Sequence, residues 1–240
     1  MSIIAVVNNK GGVGKTTTTV HLAVAIQRLG KKVLAIDIDE QANLLMHLFE
    51  YHRVKELEMH DSTNTVDNTS ILEHESGIHV TSLAFGHGKQ ADYMKAIRSV
   101  SKGYDTILID CPPSLETRTL AAIEAADYVL IPTEPEHLSF KGLTKLMKIC
   151  DEKKKAIAGV IITQYDKKIA AHNFYVPEIS STFSKYLIKP AVPRSAAFPA
   201  ASGMVKTGYD WVGKKSNAAL DAYTQIAETL ISRGIANGKV

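Results

Sequence analysis

Five short apolar runs, separated by segments of helical period, constrain the fold of this 240-residue chain more than any other feature. They are Ile3 to Val7 (IIAVV), Lys32 to Ile36 (KVLAI), Thr106 to Ile109 (TILI), Tyr128 to Ile131 (YVLI) and Ile157 to Thr163 (IAGVIIT). Short runs that are apolar nearly throughout, rather than alternating, read as strands covered on both faces. Between them, Lys15 to Leu29, Leu115 to Ala125 and Phe140 to Lys148 place apolar residues three and four apart, the spacing of a helix with one buried side. That alternation predicts an α/β fold, a mostly parallel twisted sheet flanked by helices on both faces. No proline- or serine-rich linker and no internal repeat divides the chain, so residues 1–240 are expected to form a single domain. Residues 50–80 are the least patterned and are expected to be loop or short helix.

Composition excludes several classes. At 45% hydrophobic and 22% charged residues the chain is of the soluble globular type. No stretch reaches the roughly 18 apolar residues of a membrane span, and the opening MSIIAVVNNK lacks the basic start and cleavage site of a secretory signal. A cytoplasmic protein is expected. Cys111 and Cys150 are too few for a disulfide framework and lack zinc-site spacing, so both read as buried thiols. The nine histidines show no ligand spacing, and Trp211 and Tyr209 read as packing residues. The net charge of +3 conceals an asymmetry: residues 151–240 hold 13 Lys and Arg against 7 Asp and Glu, whereas residues 1–150 hold 15 against 18. A polyanion-binding face would therefore draw on the C-terminal part.

The stretch NNKGGVGKTTTT follows the first strand directly and opens the first helix. In a parallel sheet, ligands bind beyond the carboxyl ends of the strands. Gly11, Gly12 and Gly14 let backbone N–H groups, Val13 among them, close around phosphate oxygens at the positive end of that helix. Lys15 is placed for the β- and γ-phosphates, Thr16 for Mg²⁺ and Thr17 for the α-phosphate. The general phosphate-loop pattern would require glycine at position 9, where this chain has Asn9, and it leaves Lys10 as a second, surplus lysine. Asp110, closing TILID, is placed to hold the waters of a magnesium ion.

KGGVGKTT at residues 10–17, IDIDEQAN at 36–43, ILIDCPPS at 107–114, ITQYD at 162–166 and VPR at 192–194 occur in an order that resembles the ParA/MinD family of deviant Walker A ATPases over nearly the whole chain. The resemblance implies a slow, magnesium-dependent ATPase whose ATP-bound homodimer opens on hydrolysis. It implies that Lys10 reaches the γ-phosphate held by the partner subunit, that Asp39 orients the attacking water, and that Asp37 supports the metal's water shell. Relatives usually read D-x-D-P-Q-G-N, whereas here Glu40 replaces the proline and Ala42 the glycine. Pro112 and Pro113 resemble the family's γ-phosphate-sensing segment. Gln164, Pro193 and Arg194 match the segments lying against adenine.

Within the family, the small ParA-type proteins are the nearest match, with nonspecific DNA and a ParB-like partner as the implied partners and the nucleoid as the implied location. Lys167 and Lys168 stand where relatives carry a DNA-contacting arginine, and Lys206, Lys214 and Lys215 add to the basic excess, although Ala197 replaces another such arginine. No helix-turn-helix segment precedes the first strand, so sequence-specific autoregulation is not expected. The tail AETLISRGIANGKV lacks the length and aromatic content of a MinD-like membrane helix. A membrane-associated spatial regulator and a metabolic or metal-insertion enzyme are the alternative roles.

Overall fold

In the computed structural model, which describes residues 1–55, 70–84 and 88–237, eight strands form one sheet. Numbered in chain order, the strands are β1 (Ser2–Val6), β2 (Val33–Asp37), β3 (Leu72–Glu73), β4 (His79–Ser82), β5 (Thr106–Asp110), β6 (Tyr128–Thr133), β7 (Ala156–Ile162) and β8 (Leu187–Ile188). The order across the sheet is β3-β4-β2-β5-β1-β6-β7-β8, and every pairing except β3 with β4 is parallel. All five expected strands are present.

Because side chains alternate along a strand, each apolar run feeds two cores. Ile4 and Val6 join the core beneath α1 (Lys15–Arg28), α2 (Asn43–Leu48), α8 (Gly208–Val212) and α9 (Ala218–Ser232). Ile3, Ala5 and Val7 join the opposite core, under α3 (Gln90–Val100), α4 (Thr117–Ala125), α5 (Ser139–Glu152) and α6 (Ala170–Thr182). The short α7 (Ala197–Ser202) rests on the first core through Phe198.

The expectation for residues 50–80 is corrected in part. Leu72–Glu73 and His79–Ser82 are strands, and β4 pairs in parallel with β2, so that Val80 reaches the first core. One strongly apolar residue in HVTS is too weak a local signal; the neighbouring strand supplies the rest. Residues 56–69 lie outside the described residues.

The C-terminal helix has its own task. α9 packs along α1 with Ile226, Ala227 and Leu230 buried, and a fully buried Ile or Leu contributes about 1.5–3 kcal/mol. The Tyr223 hydroxyl also pairs with Thr18 Oγ1 at 3.0 Å. The described part of the tail therefore spends its apolar face inside the protein. Among the described residues, no helix is long and apolar enough to cross a membrane. Both cysteines are buried.

The parallel arrangement sends the carboxyl ends of β1, β2, β5, β6 and β7 to the same edge of the sheet. That edge collects the glycine loop, Asp39, Asp110, the PTEPE segment and ITQYD.

Candidate functional site

The loop after β1 is held at its start by Asn8. Its amide nitrogen donates to the Pro132 carbonyl at 2.8 Å, and its Oδ1 accepts from the Lys10 N–H at 2.9 Å. Gly12 and Gly14 then take φ values of +78° and +82°, a left-handed conformation that side chains resist. Gly14 precedes α1 without a side-chain cap, which leaves first-turn N–H groups of α1 for a ligand, with the helix dipole aimed the same way. Gly11 and Gly12 are exposed on the loop, while Val13 is buried and its carbonyl accepts from Thr163 Oγ1 at 2.8 Å.

Lys15 is buried, and its ammonium donates to the Lys10 carbonyl at 3.2 Å across the loop. Burial lowers its pKa, opposed chiefly by the charge of Asp110. Thr16 Oγ1 donates to Asp110 Oδ2 at 2.6 Å. A hydroxyl and a carboxylate thus converge where the strand ends, two hard oxygen donors of the kind magnesium prefers.

Asp37 is the register partner of Asp110 on the adjacent strand. Its Oδ1 accepts from the Asp39 N–H at 3.0 Å, and its Oδ2 from the Leu44 and Leu45 N–H groups at 2.9 and 3.3 Å. Both oxygens are engaged in holding the turn and capping α2. Burial raises the pKa of both carboxyls, and the charge of Asp110 pushes Asp37 further. The Thr16 hydrogen bond and the charge of Lys15 draw Asp110 back.

Asp39 lies in that turn, with Oδ1 accepting from the Gln41 N–H at 3.1 Å and its carbonyl from the Ala42 N–H at 2.8 Å. Ala42 adopts φ +49°, the left-handed region, in the position where the motif usually has glycine. The strain costs about 1–2 kcal/mol. Burying its methyl group, only 4% exposed, returns about 0.8 kcal/mol. Burial of the methyl group thus offsets part of the strain.

Lys10 meets the segment that follows β6. Its ammonium bonds Glu134 at 3.3 Å and also bonds Glu136. Burial alone would lower its pKa, but Glu136 and Glu134 outweigh it and the net shift is upward. Sequence reasoning missed both glutamates, although PTEPE directly ends a buried strand at the ligand-binding edge.

A cavity of about 940 Å³ runs from Gly12, Gly14 and Thr17 to Gln164, Pro193 and Arg194. Its two loops are joined by backbone bonds, from the Tyr165 N–H to the Val192 carbonyl at 3.0 Å and from the Arg194 N–H to the Tyr165 carbonyl at 2.9 Å. Gln164, at φ +54°, donates its side-chain amide to the Gly12 carbonyl. The structure therefore brings the glycine loop together with all three residues expected to lie against the base. Phe198 and Tyr223 also line this cavity and were not anticipated.

Lys167 and Lys168 are exposed on the cavity's wall. Lys206, Lys214 and Lys215 are exposed after α7 and α8 but do not line it. None of the five has a carboxylate partner among the described residues. Tyr209 packs as expected, whereas Trp211 is 46% exposed.

A family model described as an AAA domain matches residues 1–162. The sporulation initiation inhibitor protein Soj of Bacillus subtilis is 30% identical over 94% of this chain and 98% of its own. The chromosome-partitioning ATPase Soj of Thermus thermophilus is 28% identical over 96% of this chain and 95% of its own. The septum site-determining protein MinD of Pyrococcus horikoshii, solved with Mg-ADP, shares the fold with a TM-score of 0.75 at 24% identity, covering 100% of this chain and 99% of that one. With one match spanning more than half of the chain and another nearly all of it, this protein belongs to the AAA-domain family that the model describes, in the ParA/MinD group of P-loop ATPases.

Proposed function

We propose that residues 1–240 act as one ATPase unit that binds ATP with Mg²⁺ and closes into a homodimer around the nucleotides. The dimer binds DNA without reading its sequence, and a ParB-like partner that stimulates slow hydrolysis releases it. The role is partition or positioning of a plasmid, chromosome or other cargo, in line with the partitioning ATPase of Thermus thermophilus among its relatives.

The phosphates are held by the N–H groups of Gly11, Gly12, Val13 and Gly14, by the Lys15 ammonium and, at the α-phosphate, by Thr17. Thr16 and Asp110 fit magnesium as one hydroxyl and one carboxylate already 2.6 Å apart. Magnesium held by these two residues would supply positive charge against the phosphate oxygens. Asp39 orients the water, and Asp37, with both oxygens committed to backbone, holds Asp39 in place. Gln164, Pro193 and Arg194 enclose the base. Lys167, Lys168, Lys206, Lys214 and Lys215 neutralise DNA phosphates, which makes binding independent of sequence and sensitive to salt.

The observation that carries this reading is the division between the two lysines. Lys15 is buried in the loop, while Lys10, five residues earlier, is paired with Glu134 and Glu136. This reading assigns the second lysine to the nucleotide held by a neighbouring subunit. The test is retention of a random-sequence DNA duplex without nucleotide, with ADP, and with ATP plus magnesium, across a salt series. Retention only with ATP, falling steeply as salt rises, is expected. Equal retention in all three states, or none in any, would refute the nucleotide-gated DNA reading.

A further inference from the structure

Arg118, on α4, lies between three segments of chain. Its Nη1 donates to the Ala84 carbonyl at 2.7 Å and to the Ile38 carbonyl at 3.3 Å, and its Nη2 meets Glu40 Oε1 at 3.0 Å. The guanidinium is stacked over the ring of Tyr93, 5.2 Å from its centre, and its side chain is only 11% exposed. Ile38 and Glu40 are the residues on either side of Asp39. One rigid fork therefore grips the catalytic turn both before and after the carboxylate that matters.

The turn needs such a grip. A proline at position 40 would fix φ near −65° and restrain the segment covalently. Glu40 leaves that torsion free, and a freely rotating residue next to Asp39 costs orientation each time the site forms. The Glu40 carboxylate, itself exposed but bound to the largely covered guanidinium, replaces the lost covalent restraint by an electrostatic one. The other end of the restraint is α4, whose first residue, Thr117, follows Pro113 by four positions.

We infer that Arg118 is a positioning residue for hydrolysis, which fixes Asp39 through Ile38 and Glu40 and ties that turn to the helix following Pro112 and Pro113. The inference rests on the reading of Asp39 as the group that orients water. It assigns to Glu40, a departure from the usual motif, a role in turnover rather than in nucleotide affinity. A lysine at 118 could keep one of the three contacts but not the fork.

The test compares hydrolysis with nucleotide binding in Arg118→Lys, Glu40→Ala, Glu40→Gln and the Arg118→Lys/Glu40→Ala pair. Arg118→Lys is expected to lower kcat about tenfold and Glu40→Ala about threefold, with ATP affinity within about twofold of the parent. The pair is expected to be no slower than Arg118→Lys, because both act through one restraint. Glu40→Gln, which keeps an acceptor for the guanidinium, should recover most of the loss. Unchanged kcat in Arg118→Lys, or losses of kcat matched by equal losses of affinity and Tm, would overturn the inference. Should Arg118→Lys fail to fold, the exposed Glu40 variants decide alone. Asp39→Ala is measured alongside: wild-type turnover there removes the reading of Asp39 itself, whereas slow turnover beside an unchanged Arg118→Lys removes only the role of Arg118.

Discussion

The two ends of the proposed nucleotide site, phosphate and base, are built on different principles. At the phosphate end, Lys15, Asp37, Asp39 and Asp110 are buried side chains, each hydrogen-bonded to backbone or to the Thr16 hydroxyl. At the base end, the loops are joined by backbone bonds around Tyr165, and Gln164, Lys167, Lys168 and Arg194 are at least partly exposed. The phosphate end has its chemistry in side-chain identity. The base end has its shape in the chain path, so its individual side chains matter less.

Substitutions can break or sharpen this contrast. The largest effect is expected from Lys15→Ala, which removes a charge-assisted contact in a buried site and should weaken ATP binding on the order of 100-fold or more by calorimetry. Near-normal affinity would erase the distinction between the two ends. Asp39→Ala should keep ATP binding and lower kcat about 100-fold, and a loss of affinity instead would make the residue a binding group. Lys168→Glu should weaken DNA retention about tenfold at fixed salt and flatten its salt dependence, with nucleotide affinity unchanged. The smallest effect belongs to Gln164→Ala. Its amide contact with the Gly12 carbonyl is partly exposed, so ATP affinity should fall less than about threefold. A much larger loss there would show that the base end, too, depends on side-chain identity.

The same contrast explains what could be read from sequence. The five double-buried strands announce themselves because each feeds two cores, as Ile3 and Ile4 do on opposite faces. β4 does not, since His79, Thr81 and Ser82 are polar and the strand exists through its pairing with β2. Within the site, Lys15, Thr16 and Asp110 were legible because loop spacing and strand ends dictate them. The second tasks of polar residues were not: Lys10 meets Glu134 and Glu136 more than 120 residues away in the chain, and Arg118 meets Ile38 across 80. Nothing local to those residues marks such pairings. Asp37 is intermediate, found at its strand end by motif while its capping of α2 shows only in the structure.

The division between Lys10 and Lys15 is tested most directly by the mass of the particle in solution. Sedimentation of the full chain would be measured with ADP and with a non-hydrolysable ATP analogue, each with magnesium, beside the Lys10→Ala variant. A dimer that forms only with the ATP analogue, and is lost in Lys10→Ala while the analogue still binds, is the expected result. A monomer with every nucleotide, or a Lys10→Ala variant that dimerises as readily as the parent, would contradict a role for Lys10 in the partner's site.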